Sequence, residues 1–321
     1  MKEDKSAIVS VSDNQNNQEH DCQATNTAGR HPLVSIVIPL YNKENQIKRT
    51  IDSVINQEFG DFEVVVVNDG STDNSLQIVE KYEDERIRII SQRNTGVSAA
   101  RNRGINEAKG SYVLLLDADD CLLSDALSLA CECEQADIIV GSFNQLNDEG
   151  VIKRKIRNSL TGIIENPYKE YCKKRINLRI GNFYIKRHFL EKKGGLRTDL
   201  TLYEDEEWIL RIIDGAIVFS SQRVILEYIR IEGGLSFGFK PIEKEWAGIA
   251  TVKLVGNKYK KRILGDFIFR RFVIRLKQKD RQGIKVIWEN NSWSLLYCMC
   301  SFVDRAFRGG FICNYLKDRI K

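Results

Sequence analysis

Five short apolar runs, set apart by helix-spaced or turn-rich segments, constrain this chain more than any other feature. They occupy 34–39 (Val34-Ser35-Ile36-Val37-Ile38-Pro39), 62–67, 87–90, 112–116 and 138–140. Runs this short, rich in Val and Ile and bounded by Gly, Asn and Asp, read as strands buried on both faces. Ile47, Ile51 and Val54-Ile55 recur at helical spacing after the first run, and Leu76, Ile78-Val79 and Tyr82 after the second. A third helical stretch, Gly96 to Ala108, stops short of Gly110, as helices ending on glycine do. Strand and helix in alternation predict βαβ units, hence an α/β fold on a mostly parallel sheet.

Composition narrows the class. The 321 residues allow one large or two modest domains, and 42% hydrophobic with 29% charged residues describes a soluble globular chain. No apolar stretch reaches the roughly 18–20 residues of a membrane span. Met1-Lys2-Glu3-Asp4-Lys5 lacks the basic start and apolar core of a secretion signal, so a cytoplasmic location is expected. The eight cysteines include two C-x-C pairs, with no C-x-x-C and no histidine beside either pair, a pattern of buried thiols rather than of zinc or disulfides. No G-x-G-x-x-G follows a strand and no G-x-x-x-x-G-K-[ST] occurs, which argues against nicotinamide enzymes and P-loop NTPases.

Chemistry gathers where the fourth run ends. Asp117-Ala118-Asp119-Asp120 follows Leu116 directly, at the strand end where open α/β sheets bind ligands. Two carboxylates two residues apart suit Mg²⁺ or Mn²⁺, ions that bridge protein to phosphate. A solvated acidic turn would have the same composition, and Asp69 before Gly70 would by itself be a turn residue. The four acids Glu204-Asp205-Glu206-Glu207 open a helical pattern, where acids also simply complement the helix dipole.

Taken together and in order, Val34 to Asn42, Val67-Asn68-Asp69-Gly70-Ser71-Thr72-Asp73, Asn94-Thr95-Gly96-Val97-Ser98-Ala99-Ala100-Arg101-Asn102 and Leu116 to Asp120 resemble the motifs of family 2 glycosyltransferases. The resemblance is close over about 33–125 and weaker at Glu204-Asp205 and Tyr228-Ile229-Arg230. It implies the GT-A fold, with a central mostly parallel sheet flanked by helices, and metal-dependent inverting transfer of a sugar from a nucleotide-sugar, UDP-linked in most such enzymes. Pro39, Tyr41, Asn42, Glu44, Asp69, Arg101 and Asp117 are implied at the nucleotide, Asp69 as acceptor from uracil N3–H. Asp117 and Asp119 are implied at a Mn or Mg cation, Asp205 as the base, and Glu204 as its alternative. One departure is visible. Relatives carry a histidine after the Tyr-x-Arg segment, whereas this chain's histidines are His20, His31 and His188, and Arg230 or Glu232 stands there instead. The implied acceptor is a glycan or lipid-linked hydroxyl in surface polysaccharide synthesis. Transfer to a polyprenyl phosphate is the rival within the same chemistry, and a metal-dependent nucleotidyltransferase the rival outside it.

The expected organisation is a polar disordered tail over 1–30, a GT-A domain over 31–238, and a basic amphipathic helical region over 239–321. From Gly256 to Lys321, sixteen Lys/Arg face five Asp/Glu, while the whole chain carries only +5. Leu264, Ile268, Phe272 and Leu276 share a helical face ringed by Arg262, Arg270, Arg271 and Arg275, and Trp293–Val303 forms a second apolar segment. With Trp288, Trp293 and Tyr297 nearby, this predicts peripheral contact with an anionic membrane at its inner face. An ordinary core-facing helix would fit the same pattern. No nucleic-acid partner is expected.

Overall fold

The computed structural model describes residues 31–147, 149–230, 241–246, 257–291 and 295. The tail over 1–30, Glu232, Trp293, Tyr297 and nearly all of the 293–303 segment lie outside the described residues. Two compact units are present. The first runs to Asp199 and resumes over Glu204–Gly238; the second takes Leu200–Tyr203 and residues from Phe239 onward.

The first unit is built on one sheet. Its strands are β1 (Val34–Leu40), β2 (Phe62–Asn68), β3 (Ile87–Ser91), β4 (Tyr112–Leu115), β5 (Cys121–Leu122), β6 (Ile138–Leu146), β7 (Ile152–Ile156), β8 (Gly162–Ile164), β9 (Phe183–Lys186) and β10 (Val218–Ile229). The helices are α1 (Ile47–Ile55), α2 (Ser75–Val79), α3 (Val97–Glu107), α4 (Pro167–Cys172), α5 (Arg187–Lys193) and α6 (Glu204–Ile212). The strand order is β3-β2-β1-β4-β9-β6-β10-β5, with β7 on β6 and β8 on β10. β1 through β4 pair in parallel, as do β6 and β10, while β9 lies antiparallel between β4 and β6.

β1 is central to the parallel half and every one of its residues is buried, which explains its unbroken apolar character. α1 turns Ile47, Ile51 and Val54 inward. α3 lies directly on β1 because Gly104 has no side chain; a Cβ there would meet Val37 Cγ1 at 2.2 Å. That close approach brings Arg101, one turn earlier on α3, under the strand ends. Cys121 and Cys133 are buried thiols.

The second unit pairs Leu202 with Glu245 and carries the long helix α7 (Lys258–Lys277), followed by helix over 281–291 (α8). Phe267 packs against Trp246 and edge-on against Tyr203, both with ring centroids at 4.9 Å. The expected amphipathic face differs in detail. Ile268 is buried, but Leu276 is 48% exposed, and Arg275 is fully buried rather than solvated. Arg275 and Arg271 both bond Glu245, itself buried, and Arg275 also pairs with Asp280. An inward carboxylate thus draws Arg275 and, in part, Arg271 off the solvated face, while Arg262 and Arg270 stay exposed. Trp288 is 41% exposed. No described helix is long and apolar enough to cross a membrane.

Candidate active site

Three loops meet at the C-terminal ends of β1, β2 and β4. The loop after β1 is stitched to the loop after β2. Thr72 N–H donates to Asn42 Oδ1 at 2.8 Å, Lys43 N–H to Ser75 Oγ at 2.6 Å, and Glu44 N–H to Asp73 Oδ2 at 3.1 Å. Glu44 Oε2 in turn accepts from the Asn74 N–H at 3.0 Å. Asn42 adopts φ 50° to make this turn, a left-handed conformation that Asn tolerates better than most residues. Tyr41 is 44% exposed beside it. Pro39 lies inside β1, buried, one pair before the strand ends at Leu40↔Asn68, so it shapes the loop from below.

Asp69 is buried and organises the next loop. Its Oδ1 accepts from Gln92 Nε2 at 2.8 Å and from the Thr95 N–H at 2.9 Å, and its Oδ2 accepts from the Gly96 N–H at 2.8 Å. The carboxylate is therefore fixed by backbone donors, with more acceptor capacity left on Oδ2 than on Oδ1.

After β4, the chain turns with the Asp120 N–H on the Asp117 carbonyl. Asp117 Oδ1 pairs with Arg101 Nη2 at 2.6 Å, and Asp119 Oδ2 with Lys43 Nζ at 2.5 Å. Each of these aspartates keeps a second oxygen to which no hydrogen bond runs among the described residues. Two partly exposed hard-oxygen donors suit a Mg²⁺ or Mn²⁺ ion that completes its shell with phosphate and water; no described group holds three or more potential ligands. Burial works against ionisation of Asp117, yet Arg101, with Arg179 and Lys43 behind it, holds the carboxyl below its ordinary range. Asp120 shows the opposite balance. Burial, then Asp117 and Asp119, push it well above its ordinary range despite Arg179. Its Oδ1 accepts from the Ile229 N–H at 3.1 Å, and its buried Oδ2 lacks a hydrogen bond.

Arg101 links this strand end to the acids of α6. It is 5% exposed, and its Nη1 lies 3.5 Å from Glu204 Oε1. Burial opposes its charge, but Asp117, Glu204 and Asp205 more than offset that and raise its pKa. Burial and Asp205 raise the Glu204 carboxyl. Three of the four α6 acids are engaged by side chains: Glu204 by Arg101, Glu206 by the Tyr171 hydroxyl at 3.0 Å, and Glu207 by Arg211 at 2.9 Å. Asp205 Oδ1 accepts only from the adjacent Glu206 N–H at 2.8 Å, and no described cation pairs with it.

The start of α6 is held from behind. Arg211 Nη2 donates to the Gly195 carbonyl and Trp208 Nε1 to the Gly194 carbonyl. Asn102, next to Arg101, clasps the same loop through both its side-chain atoms, to Leu196 N–H at 2.7 Å and Leu196 carbonyl at 2.8 Å. Adjacent residues of α3 thus fix both Glu204 and the loop that carries α6. Asn102 and Asp120 close two of the sequence motifs without a role being read from them, whereas Lys43 and Arg179 lie outside every motif.

Residues 35–194 match the family described as Glycosyl transferase family 2. The chain is 44% identical over 123 residues to the uncharacterized glycosyltransferase EpsJ of Bacillus subtilis, covering 36% of each. It is 48% identical over 102 residues to chondroitin synthase of Pasteurella multocida, covering 31% of this chain and 11% of that protein. The chain therefore spans only a minor part of these relatives. Over a longer stretch it is 26% identical to the cholesterol galactosyltransferase of Borreliella burgdorferi, covering 74% of both. Its fold superposes on the crystal structure of S. aureus TarS 1–349 in complex with UDP-GlcNAc with a TM-score of 0.67, 22% identity and 80% of each chain covered. On motif order, fold and family match together, this chain is a member of glycosyl transferase family 2 with the GT-A fold.

Proposed function

We propose that this chain transfers a sugar, with inversion, from a UDP-sugar to a hydroxyl of a glycan or lipid-linked acceptor in polysaccharide synthesis. The observation that carries this reading is the division of labour among the α6 acids. Glu204 is tied through Arg101 to Asp117, while Asp205 beside it forms no ion pair among the described residues. A carboxylate in that state can accept a proton, whereas one locked in an ion pair is a poorer base.

In this reading the nucleotide lies along the strand ends, with Asp69 Oδ2 accepting from the base and Tyr41 beside it. The donor's diphosphate lies at Asp117 and Asp119. These two residues would hold Mg²⁺ or Mn²⁺, which supplies Lewis-acid stabilisation to a leaving diphosphate. Asp205 removes the proton from the acceptor hydroxyl as that oxygen attacks the anomeric carbon, opposite the departing UDP. Glu204 and Arg101 tie the start of α6 to the turn after β4. The UDP-GlcNAc complex of TarS and the match to chondroitin synthase support a UDP-linked donor and a polysaccharide product.

A thermal-stabilisation screen tests the reading. UDP-sugars with Mn²⁺ should raise the melting temperature more than GDP- or CMP-sugars do. Asp119→Ala should abolish the Mn²⁺-dependent part while leaving the unliganded melting temperature near wild type, because the Lys43–Asp119 pair is partly exposed and worth less than about 1 kcal/mol. A Mn²⁺ response unchanged in Asp119→Ala would sink the metal assignment.

A further inference from the structure

We propose that Arg179 is a direct contact to the donor's diphosphate, supplying the cation that this site lacks a histidine to provide. The proposal rests on the nucleotide-sugar reading above and names a residue that none of the sequence motifs contains.

Arg179 precedes β9, in a loop that is held firmly. Its N–H donates to Asn182 Oδ1 at 2.9 Å, and Asn182, fully buried, ties Gly141 and Asn177 with its amide. The guanidinium carbon lies over the Tyr228 ring, 3.3 Å from its centroid, with the Phe143 ring at 5.4 Å. Its Nε donates to the Ile180 carbonyl at 3.2 Å. Nη2 stands 3.9 Å from Asp120 Oδ2, too long for a hydrogen bond. The remaining N–H donors make no hydrogen bond among the described residues, and 23% of the side chain is exposed. The group is thus held beside Asp120, partly exposed and with donors unused among the described residues.

Its neighbours are differently engaged. Arg101 is sealed between Asp117 and Glu204, and Lys43 is paired with Asp119. Arg49 reaches only the Asp119 carbonyl, at 3.4 Å. Arg101 also keeps Nε and Nη1 without a hydrogen bond, but it is buried; Arg179 combines unused donors with a partly exposed side chain. A planar guanidinium matches phosphate oxygens in a fork geometry, and stacking removes much of the entropy cost of holding it there.

The experiment compares UDP with uridine on the full chain, by calorimetry with Mn²⁺ and again in EDTA. Arg179→Met should weaken UDP roughly 10- to 100-fold, leave uridine unchanged, and do so in both conditions. Arg179→Lys should recover only part, because an ammonium cannot fork. Tyr228→Leu should produce a smaller loss confined to UDP. Unchanged UDP affinity in Arg179→Met overturns the proposal, and so does an equal loss for UDP and uridine, which would mark a packing role. A wild-type protein that binds neither compound removes the nucleotide-sugar reading itself, a result distinct from either of these.

Discussion

Two arginine–carboxylate networks, one in each unit, contrast sharply. In the second unit, Arg271 and Arg275 face Glu245 and Asp280, two cations against two acids, and Glu245 and Arg275 have almost no exposure. In the first unit, Asp117, Asp119, Asp120, Glu204 and Asp205 gather around Arg101, Lys43 and Arg179, and Asp117 and Asp119 remain 27% and 21% exposed. The balanced network is complete without a ligand. The other carries excess negative charge that a divalent cation or a proton would relieve, and its open edge lets one reach it. Buried ion pairs as such are poor markers of function; an unbalanced, partly open set is a better one.

The contrast can be broken by mutation. Glu245→Ala should have the largest effect on stability, about 3–5 kcal/mol, because it strips Arg271 of its carboxylate and leaves buried Arg275 with Asp280 alone. Denaturant unfolding measures this, and a loss under about 1 kcal/mol would mean that the network is solvated after all. Arg101→Met should cost less, up to about 3 kcal/mol, since Asp117 keeps contact with water. It should also impair turnover, as Glu204 and Asp117 then repel across the site. A variant that loses stability but keeps full turnover would make Arg101 purely structural.

A smaller effect sharpens the electrostatics. Burial alone would raise the Asp117 carboxyl, but Arg101 holds it below the ordinary value. Its stabilising contribution is therefore complete above the usual carboxylate pKa of about 4 and fades as pH falls through the lower folded-state value. The stability gap between wild type and Asp117→Asn should narrow steadily below about pH 5. A gap independent of pH would show that the charge of Asp117 contributes nothing to the fold.

Legibility followed sequence distance. β1, β2 and β4 announce themselves because each is a local run buried on both faces, while β3 at the sheet edge is only half-buried; the acids at the strand ends sit where that topology puts ligands. The Glu207–Arg211 pair, four residues apart on one helix, is local in the same way. What stayed hidden is long-range. Lys43 and Asp119 lie 76 residues apart, and Arg275 reaches Glu245 across 30. Arg271 and Arg275 look like part of a solvated face because nothing local announces the carboxylate that turns them inward. The antiparallel half was equally obscure. β7 is a hairpin arm of Lys and Arg on exposed positions, and β9 runs for four residues before a helix. Only the partner strands stabilise such segments.

The four adjacent acids of α6 look alike in sequence but differ in their partners: side chains engage three of them, whereas Asp205 accepts from the Glu206 N–H.

The central claim is tested most directly by UDP release from a panel of UDP-, GDP- and CMP-sugars, with wild type and Asp205→Asn side by side. Wild type should consume a UDP-sugar, and Asp205→Asn should bind it with similar affinity but release UDP about 10²- to 10⁴-fold more slowly. No turnover of any nucleotide-sugar by wild type, or equal rates in the two proteins, would contradict it.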